Sequence, residues 1–323
     1  MSKTASGQNV ESVARFALIG AAGYVAPRHI NAICETGQRL VVAMDPSDSV
    51  GVLDSYFPDS AFFTEFERFD RHVDKLRRKP GQDVQYVSVC SPNYLHDAHI
   101  RFGLRSGADV ICEKPLVLNP WNLDGLEVLE RETGRRVNNI LQLRLHPSLL
   151  KLKEQLAHAN NRHTVDLRYV TPRGVWYQHS WKGDVTRSGG VATNIGIHFF
   201  DMLIWLFGAA ERSEVHALEP DRAAGALYLA NADVRWFLST NARDLPTQQQ
   251  DKMQPFRSIS VDGREVEFSS GFRDLHTLSY EQILAGQGFG LAESRPSIEL
   301  VHDIRNASPV GSSGFHPAAL DAR

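Results

Sequence analysis

Short apolar runs alternate with amphipathic segments over the first part of the chain. The runs that predict strands are 16–19, 40–44, 61–63, 84–90, 108–112 and 137–141. The segments between them that predict helices are 26–36, 95–106 and 121–133. Continuous apolar strands separated by helices are typical of a parallel sheet that is buried on both faces. We therefore predict a doubly wound, Rossmann-type α/β domain over residues 15–143, because right-handed βαβ crossovers produce that arrangement.

The pattern changes beyond residue 143, where apolar and polar positions alternate along several short segments. The segments that predict strands there are 163–170, 226–229, 234–240, 257–261 and 265–268. The pair Asp262-Gly263 between the last two is a strong hairpin signal. We therefore expect an α+β domain with a mostly antiparallel open sheet over residues 144–305. Residues 1–14 and 306–323 are expected to be a flexible N-terminal tail and a C-terminal tail.

Composition narrows the class of protein. The chain has 323 residues, of which 42% are apolar, so it is far too apolar for a disordered chain and long enough for about two domains. Its net charge of −3 lacks the basic excess of a nucleic-acid-binding protein. We find no apolar run of the ~20 residues that span a bilayer, and no apolar signal-peptide core at the N-terminus. We therefore expect a cytoplasmic protein that binds neither nucleic acid nor membrane.

The three cysteines are Cys34, Cys90 and Cys112, and they form no CxxC motif. Each lies in or beside an apolar run, so we expect buried, reduced thiols. The sequence shows no cluster of histidine, cysteine and carboxylate residues with the usual ligand spacing. We therefore predict that the protein holds no metal ion.

The first predicted strand leads into a turn of small residues, GAAGYVA. Gly20, Gly23 and Ala26 are spaced one residue wider than the G-x-G-x-x-G/A dinucleotide fingerprint. The physical needs are still met, because Gly20 permits a tight turn, Gly23 lets the backbone approach a pyrophosphate, and Ala26 permits close helix packing. The following helix would supply amide donors to the anion. An ordinary strand-to-helix turn is the alternative. The expected cofactor contacts are Gly20, Gly23, Tyr24 and Val25.

Asp45 follows the second predicted strand, 22 residues after Gly23. A carboxylate at this place accepts hydrogen bonds from the adenosine ribose hydroxyls and repels the 2′-phosphate of NADP. No arginine follows among residues 46–48. Asp45 therefore predicts NAD as the cofactor, and the alternative is an aspartate that only begins a turn before Pro46.

Two polar segments follow the fourth and fifth predicted strands. Ligands of open α/β sheets bind at the carboxyl ends of the strands, so a cofactor would meet these segments. The expected cofactor contacts are Ser91, Asn93, His96, Glu113 and Lys114. Lys114 is a candidate for proton transfer or hydroxyl binding, because burial or a positive nicotinamide would lower its pKa. A solvated loop lysine is the alternative for this residue alone.

Three motifs occur in order along the chain: Pro92-Asn93-x-x-His96, Glu113-Lys114-Pro115, and Gly189-Gly190-Val191-x-x-Asn194-x-Gly196-x-His198-x-x-Asp201. Together with the glycine turn they resemble the glucose-fructose oxidoreductase/inositol dehydrogenase family, over residues 15 to about 305. The resemblance implies an NAD-dependent oxidoreductase with Lys114 in the active site and a cis peptide before Pro115. Inositol dehydrogenases often have aspartate where this chain has Asn194, which weakens any copy of their proton relay.

Asn194 and His198 are four residues apart, so they share one face if this segment is a helix. An imidazole with an ordinary pKa of about 6.5 suits removal of a hydroxyl proton at neutral pH. Asp201 either orients this imidazole or faces another partner. A structural histidine is the alternative, whereas the family resemblance favours a catalytic one. The predicted catalytic residues are Lys114, His198 and Asn194.

Further segments are similar to one subgroup of this family, which oxidises the C3′ hydroxyl of UDP-N-acetylglucosaminuronate with NAD. These segments are 19–30, 91–96, 141–144, 173–177, 180–184, 274–277 and 279–280. The resemblance implies a 3-keto sugar product on the route to the diacetamido uronic acids of bacterial surface polysaccharide (O-antigen). It also implies a homotetramer that packs through the open sheet of the second domain. Some relatives use 2-oxoglutarate as a second substrate.

The diphosphate and carboxylate of such a substrate require cationic contacts, and arginine suits bidentate recognition of either anion. Residues that could stack on the uracil or the sugar are Trp176, Tyr177 and Trp181. Surface arginines and core aromatic residues are the alternatives. The predicted substrate contacts are Lys114, Arg144, Arg173, Tyr177, Lys182, Asn194 and His198.

In the mechanism that follows, the C3′ hydrogen leaves as a hydride to the nicotinamide and the hydroxyl proton leaves to a side chain. We assign His198 as the base and Lys114 as the cation that polarises the hydroxyl, although these roles could be exchanged. Two other hypotheses compete: another sugar or cyclitol dehydrogenase of the same family, and a non-enzymatic NAD-binding regulator on the same fold.

Overall fold

The computed structural model describes residues 13–157, 161–247, 249, 254–267, 274–312 and 314–320. Nearly all of the predicted N-terminal tail, the end of the predicted C-terminal tail and the last residue of the predicted strand 265–268 lie outside these residues.

The first part of the chain forms a parallel sheet with helices on both faces. Its strands are β1 Arg15–Ile19, β2 Arg39–Met44, β3 Ala61–Phe63, β4 Tyr86–Val89, β5 Asp109–Cys112 and β6 Val137–Asn139. Its helices are α1 Ala26–Glu35, α2 Val52–Tyr56, α3 Phe66–Arg77, α4 His96–Arg105 and α5 Pro120–Thr133. The strand order is β3-β2-β1-β4-β5-β6, and every pair is parallel. The predicted Rossmann-type sheet is confirmed, with its topological switch point between β1 and β4.

The sequence pattern does not predict α2 and α3. Helix α3 is rich in charged residues, which masks its apolar face. Nevertheless Phe66, Phe69, Val73 and Leu76 recur at intervals of three and four residues and pack into the core. The helical period was therefore present in the sequence.

The second part of the chain forms a second six-stranded sheet, in the described residues. Its strands are β7 His163–Val170, β8 Ala210–Leu218, β9 Arg222–Leu229, β10 Ala232–Ser239, β11 Phe256–Val261 and β12 Arg264–Glu265. The order is β12-β11-β7-β10-β9-β8, and only β7 and β10 pair in parallel. The predicted mostly antiparallel sheet is confirmed. The sequence pattern did not predict strand β8, because β8 is an edge strand whose first half is charged and exposed.

The remaining helices are α6 Pro147–Leu156, α7 Val175–His179, α8 Val185–Ser188, α9 Ile197–Phe207, α10 Leu275–Leu284 and α11 Leu291–Asn306. Helices α9 and α11 pack together against the second sheet, where Phe200 meets Trp236 edge to face at 5.2 Å. Gly196 approaches this sheet so closely that an added Cβ would lie 2.5 Å from a methyl carbon of Leu238. Helix α10 returns to the first sheet and packs against α1.

One prediction about exposure needs correction. The run 185–207 is long and apolar enough to cross a bilayer, by length and composition alone. Its most apolar stretch is 67% buried, as in the core helix of a folded domain. Cys34 is exposed on α1, whereas Cys90 and Cys112 are buried as predicted.

Candidate active site

The glycine turn lies against the end of β4, at the switch point of the first sheet. Gly20 has a φ of 91°, and an added Cβ would lie 2.6 Å from the Cys90 carbonyl carbon and the Ser91 nitrogen. A Cβ on Gly23 would lie 3.1 Å from the Gly20 oxygen. Both positions therefore favour glycine, because the turn before α1 packs directly on the backbone at the end of β4. Tyr24, next in the turn, is 88% exposed.

Asp45 is half-buried beyond the end of β2 and faces the same turn. Its Oδ2 accepts a hydrogen bond from the Ala22 amide at 3.0 Å, and its Oδ1 accepts one from the Ser47 amide at 2.9 Å. Each carboxylate oxygen keeps a lone pair for another donor. The two amides thus fix the carboxylate beside the glycine turn.

Lys114 follows β5 and reaches toward the second domain. Its Nζ donates to the Asn194 backbone oxygen at 3.1 Å. Burial lowers the pKa of Lys114, Glu113 opposes that change, and the charges of Arg173 and Arg28 add to it. The environment is therefore that of an enclosed, hydrogen-bonded lysine and not that of a solvated loop lysine.

Asn194 lies on a wide π turn, Ala192–Gly196, which leads into α9. Its Nδ2 donates to the Tyr177 hydroxyl at 2.6 Å, and its Oδ1 accepts from Asn93 Nδ2 at 3.2 Å. Asn93 also donates to the Ser188 backbone oxygen at 3.0 Å. Asn93, which we predicted as a cofactor contact, therefore also joins the end of β4 to the second domain. Single π turns often occur at functional sites.

His198 lies in the first turn of α9. Burial holds the pKa of His198 well below its ordinary value, and the charges of Lys114 and Arg257 add to this effect. Its Nδ1 is buried and has no hydrogen-bond partner in the part of the chain that the structure describes. Burial favours the neutral imidazole, and a neutral imidazole can accept a proton.

Asp201 and Arg144 form a buried ion pair with each other. Arg144 donates from Nε to Asp201 Oδ2 at 2.9 Å and from Nη2 to Asp201 Oδ1 at 2.7 Å. The same Nη2 donates to the Glu293 backbone oxygen at 3.1 Å. Asp201 therefore faces another partner and does not orient His198. The structure also does not bring Arg144 to the candidate site, because its guanidinium is occupied inside the protein.

Arg173 lies near both Lys114 and Lys182, and the three side chains form a cationic group. The charge of Arg173 lowers the pKa of Lys114, and burial together with Arg173 lowers the pKa of Lys182. The Lys182 ammonium lies 4.4 Å from the centre of the Trp181 ring and 5.7 Å from that of Trp176. Trp176 is 58% exposed, so its ring is available to a ligand, whereas Tyr177 is buried. Arg173, Lys182, Trp176 and Trp181 form one cationic and aromatic surface that is at least partly exposed, and we refer to this surface as the entrance.

His96 and Ser91 hold the loops at the ends of β4 and β5. His96 Nδ1 lies 2.7 Å from the Pro115 oxygen, and Nε2 lies 2.8 Å from the Ser91 oxygen. The Ser91 hydroxyl pairs with His99 at 2.8 Å. Burial lowers the pKa of His96. The predicted cis peptide bond, Lys114–Pro115, is present in the loop that His96 holds. Both residues, predicted as cofactor contacts, use their polar side-chain atoms within the protein.

Glu113 belongs to a buried group that the sequence did not predict. Its Oε1 lies 3.0 Å from His29 Nε2 and 3.0 Å from His276 Nε2. The three side chains are close enough to be compared with a metal site, although their sequence spacing gave no such signal. Both histidines fall in segments that resemble the subgroup described above, and that resemblance was the available clue.

Comparisons with known proteins agree with the two-part architecture. Residues 14–140 match the model of an oxidoreductase family with an NAD-binding Rossmann fold, and residues 161–243 match the C-terminal alpha/beta domain of an oxidoreductase family.

One solved protein is similar over nearly its whole length. The WlbA (WbpB) dehydrogenase from Thermus thermophilus, in complex with NAD and alpha-ketoglutarate, is 51% identical with a TM-score of 0.90. The match covers 93% of this chain and 97% of that one. A structure of the same protein with NAD and UDP-GlcNAcA matches equally well.

The curated relatives match over shorter stretches. The putative oxidoreductase YteT of Bacillus subtilis is 29% identical over 184 residues, which are 56% of this chain and 40% of that protein. The match thus spans about two fifths of the curated relative.

Proposed function

Because the chain belongs to the glucose-fructose oxidoreductase/inositol dehydrogenase family of NAD-binding oxidoreductases, we propose that it oxidises the C3′ hydroxyl of UDP-N-acetylglucosaminuronate (UDP-GlcNAcA) to a ketone. The observation that carries this proposal is the convergence of Lys114, Asn194 and His198 where the loop after β5 meets the second domain. They converge in a fold that matches, at 51% identity, a dehydrogenase solved with NAD and UDP-GlcNAcA.

The residues at the switch point fit NAD. Gly20 and Gly23 let the turn before α1 pack directly on the end of β4, and Asp45 presents beside this turn a carboxylate that two backbone amides hold. A carboxylate there disfavours a 2′-phosphate. When bound, NAD supplies the hydride acceptor.

His198 acts as the base that takes the C3′ hydroxyl proton. Its lowered pKa keeps the imidazole neutral at pH 7, so it is ready to accept that proton. Lys114 polarises the same hydroxyl with its charge and stabilises the alkoxide character that develops as the hydride leaves. Asn194 holds Lys114 through its backbone oxygen and is held in turn by Tyr177 and Asn93. Because these side chains are held in fixed positions, the activation barrier of the oxidation is lowered further.

The cationic group Lys114, Arg173 and Lys182 binds the anionic parts of the substrate. UDP-GlcNAcA carries a diphosphate and a carboxylate, and charged hydrogen bonds to such groups are stronger than neutral ones. The exposed Trp176 ring offers a stacking surface for uracil. Arg144 is excluded from this set because its guanidinium pairs with Asp201.

We extend the proposal to 2-oxoglutarate as the second substrate. The similar Thermus thermophilus dehydrogenase was solved with alpha-ketoglutarate, and the same cationic group suits a dicarboxylate. The 2-oxo group takes up a hydride and a proton and becomes a hydroxyl, so the balance of the sugar oxidation is closed within one site.

We also propose an oligomeric state and compartment for the enzyme and a fate for its product. A cytoplasmic homotetramer that packs through the second sheet is the assembly that the subgroup resemblance favours. The 3-keto product suits later amination toward the diacetamido uronic acids of bacterial surface polysaccharide, including O-antigen.

The proposal is tested by incubating the enzyme with UDP-GlcNAcA and NAD, with and without 2-oxoglutarate, and measuring the sugar by mass spectrometry. Lys114→Met and His198→Asn should each lower the rate by about 100-fold or more. His179→Asn, at an exposed histidine of α7, is the matched control and should retain the rate. Oxidation of free sugars or inositols in place of UDP-GlcNAcA would contradict the substrate. NAD binding that supports no turnover with any of these alcohols would indicate the non-enzymatic alternative.

A further inference from the structure

Glu113 is 7% exposed, and both of its carboxylate oxygens have partners. Oε1 accepts from the Nε2 atoms of His29 and His276, each at 3.0 Å. Oε2 accepts from the Lys114 backbone amide at 3.2 Å. The carboxylate therefore fixes the peptide that carries the candidate catalytic lysine, one residue away.

The group extends to two further elements. A neutral His29 that donates from Nε2 accepts at Nδ1, where the Tyr280 hydroxyl lies at 2.8 Å. The Ser88 hydroxyl lies 2.7 Å from the same Tyr280 oxygen. His29 is on α1, Tyr280 and His276 are on α10, and Ser88 is on β4. The group therefore joins the helix after the glycine turn to the Lys114 loop.

Hydrogen bonding explains this group better than a metal ion does. Both imidazoles direct Nε2 to one oxygen at ordinary N–H···O distances. A structural zinc site has four protein ligands, whereas the described residues supply three here. His29 is also fully buried, which leaves no open face for a water ligand.

The hydrogen bonds keep Glu113 ionised. Burial by itself would raise the pKa of this carboxyl, but the bonds from His276 and His29 outweigh burial and hold its pKa well below the ordinary value. Burial lowers the pKa of His29, in keeping with a neutral imidazole that donates one bond. One negative charge is thus enclosed beside Lys114.

Apart from Glu113, the charged neighbours of Lys114 are cationic. The charged or titratable groups that interact with it are Glu113, Arg28, Arg173, His96 and His198. Arg28 and Arg173 disfavour the ammonium form, and burial disfavours it more strongly. Glu113 is the group that favours the ammonium form.

We propose that Glu113, held in place by two imidazoles, is a positioning residue that keeps the Lys114 side chain cationic and its loop fixed at the cofactor edge. This role rests on the proposed oxidation, in which that cation polarises the reacting hydroxyl. Glu113 itself touches neither substrate nor cofactor in this account.

The first test compares Glu113→Gln with the wild-type enzyme. Lys114 acetylation by trace acetic anhydride is measured by mass spectrometry across pH, on protein without substrate. The half-labelling pH should fall by about one unit in the variant, because a neighbouring opposite charge shifts a pKa by about one unit or more. The alkaline limb of kcat/KM for UDP-GlcNAcA should fall by the same amount.

Two variants control for a merely structural effect. Glu113→Asp keeps the charge and should keep the half-labelling pH near that of the wild type. Tyr280→Phe removes the bond behind His29 but leaves the Glu113 charge, so it should also leave that pH in place. If Glu113→Gln does not fold, the wild-type labelling decides alone: half-labelling at or above about pH 8 supports the proposal, and half-labelling below about pH 8 overturns it.

The outcomes separate this proposal from the proposed function. Unchanged half-labelling in folded Glu113→Gln overturns the positioning role even if the sugar is oxidised. A shifted half-labelling pH without sugar oxidation overturns the proposed function and leaves the electrostatic role in place. One equivalent of tightly bound metal, found by elemental analysis of the wild type and lost in Glu113→Gln, would overturn the hydrogen-bonded assignment.

Discussion

Replacing Arg144 by methionine separates the structural role of this residue from the substrate contact that the sequence predicts. Arg144 is 8% exposed and Asp201 is 2% exposed, and the two share two charged hydrogen bonds. Removal of the guanidinium leaves the Asp201 carboxylate buried without its partner. Breaking a buried ion pair in this way costs about 3–5 kcal/mol of unfolding free energy.

The double variant Arg144→Met/Asp201→Asn removes both charges and should recover much of that loss. The double variant should lose less unfolding free energy than the sum of the losses in the two single variants, by about 1 kcal/mol or more. The reason is that the effects of substitutions at two paired residues are not additive. The assay is urea unfolding followed by both circular dichroism and tryptophan fluorescence, whose coincidence shows that one transition is being compared. Additive losses in the double variant would refute the reasoning.

The stability of the single variant Arg144→Met should depend on pH in a definite direction. Burial raises the pKa of Asp201, and Arg144 opposes that change. Without Arg144, the pKa of the Asp201 carboxyl in the folded state rises further above its value in the unfolded state. The folded state is therefore stabilised by binding a proton at low pH, and this stabilisation is lost as the pH rises through the folded-state pKa of Asp201. The loss of unfolding free energy in Arg144→Met, relative to the wild type, should therefore be smaller at pH 5 than at pH 8.

Substrate kinetics complete the test. Arg144→Met should leave KM for UDP-GlcNAcA within about threefold of the wild type, because its guanidinium is not at the entrance. Arg173→Met removes a charged contact and should raise KM about tenfold or more. A large KM effect from Arg144 and none from Arg173 would return Arg144 to the substrate site.

Three other predictions follow from the site. Gly20→Ala places a Cβ 2.6 Å from the Cys90 carbonyl carbon and should abolish NAD binding, as measured by calorimetry. The control is Gly37→Ala, at a φ of 73° with open space around it, which should cost about 1–2 kcal/mol of unfolding free energy and leave NAD binding intact. Asp45→Ala should weaken NAD binding and narrow the preference over NADP, measured as the ratio of kcat/KM values; an unchanged ratio would contradict the ribose assignment. The acidic limb of kcat/KM should lie below pH 6.5, because burial lowers the pKa of the base His198; a limb at or above that value would contradict this assignment.

The local parts of the fold and site could be predicted from short-range patterns. Apolar runs and the Asp262-Gly263 turn depend on neighbouring residues, and they were visible in the sequence. The glycine turn and the strand-end position of Lys114 follow from the same patterns combined with the rule that ligands bind at the switch point. Strand β8 was missed because an exposed edge strand does not need an apolar run.

The long-range parts could not be predicted in this way. Arg144 and Asp201 are 57 residues apart, and nothing in their local sequence shows that each neutralises the other. Glu113 meets His276 across 163 residues because α10 returns to pack on α1. Residue types alone suggested a substrate arginine and a cofactor glutamate. Packing decides instead which charges are enclosed and which face the entrance.

The central claim is that a hydride leaves C3′ of UDP-GlcNAcA, and UDP-GlcNAcA deuterated at C3′ tests it most directly. Our account predicts that the deuterium appears in the reduced cofactor, or in 2-hydroxyglutarate when 2-oxoglutarate is present, and that the sugar loses it. Retention of the deuterium by the sugar while the cofactor is reduced would contradict the account, because the hydride would then come from another carbon.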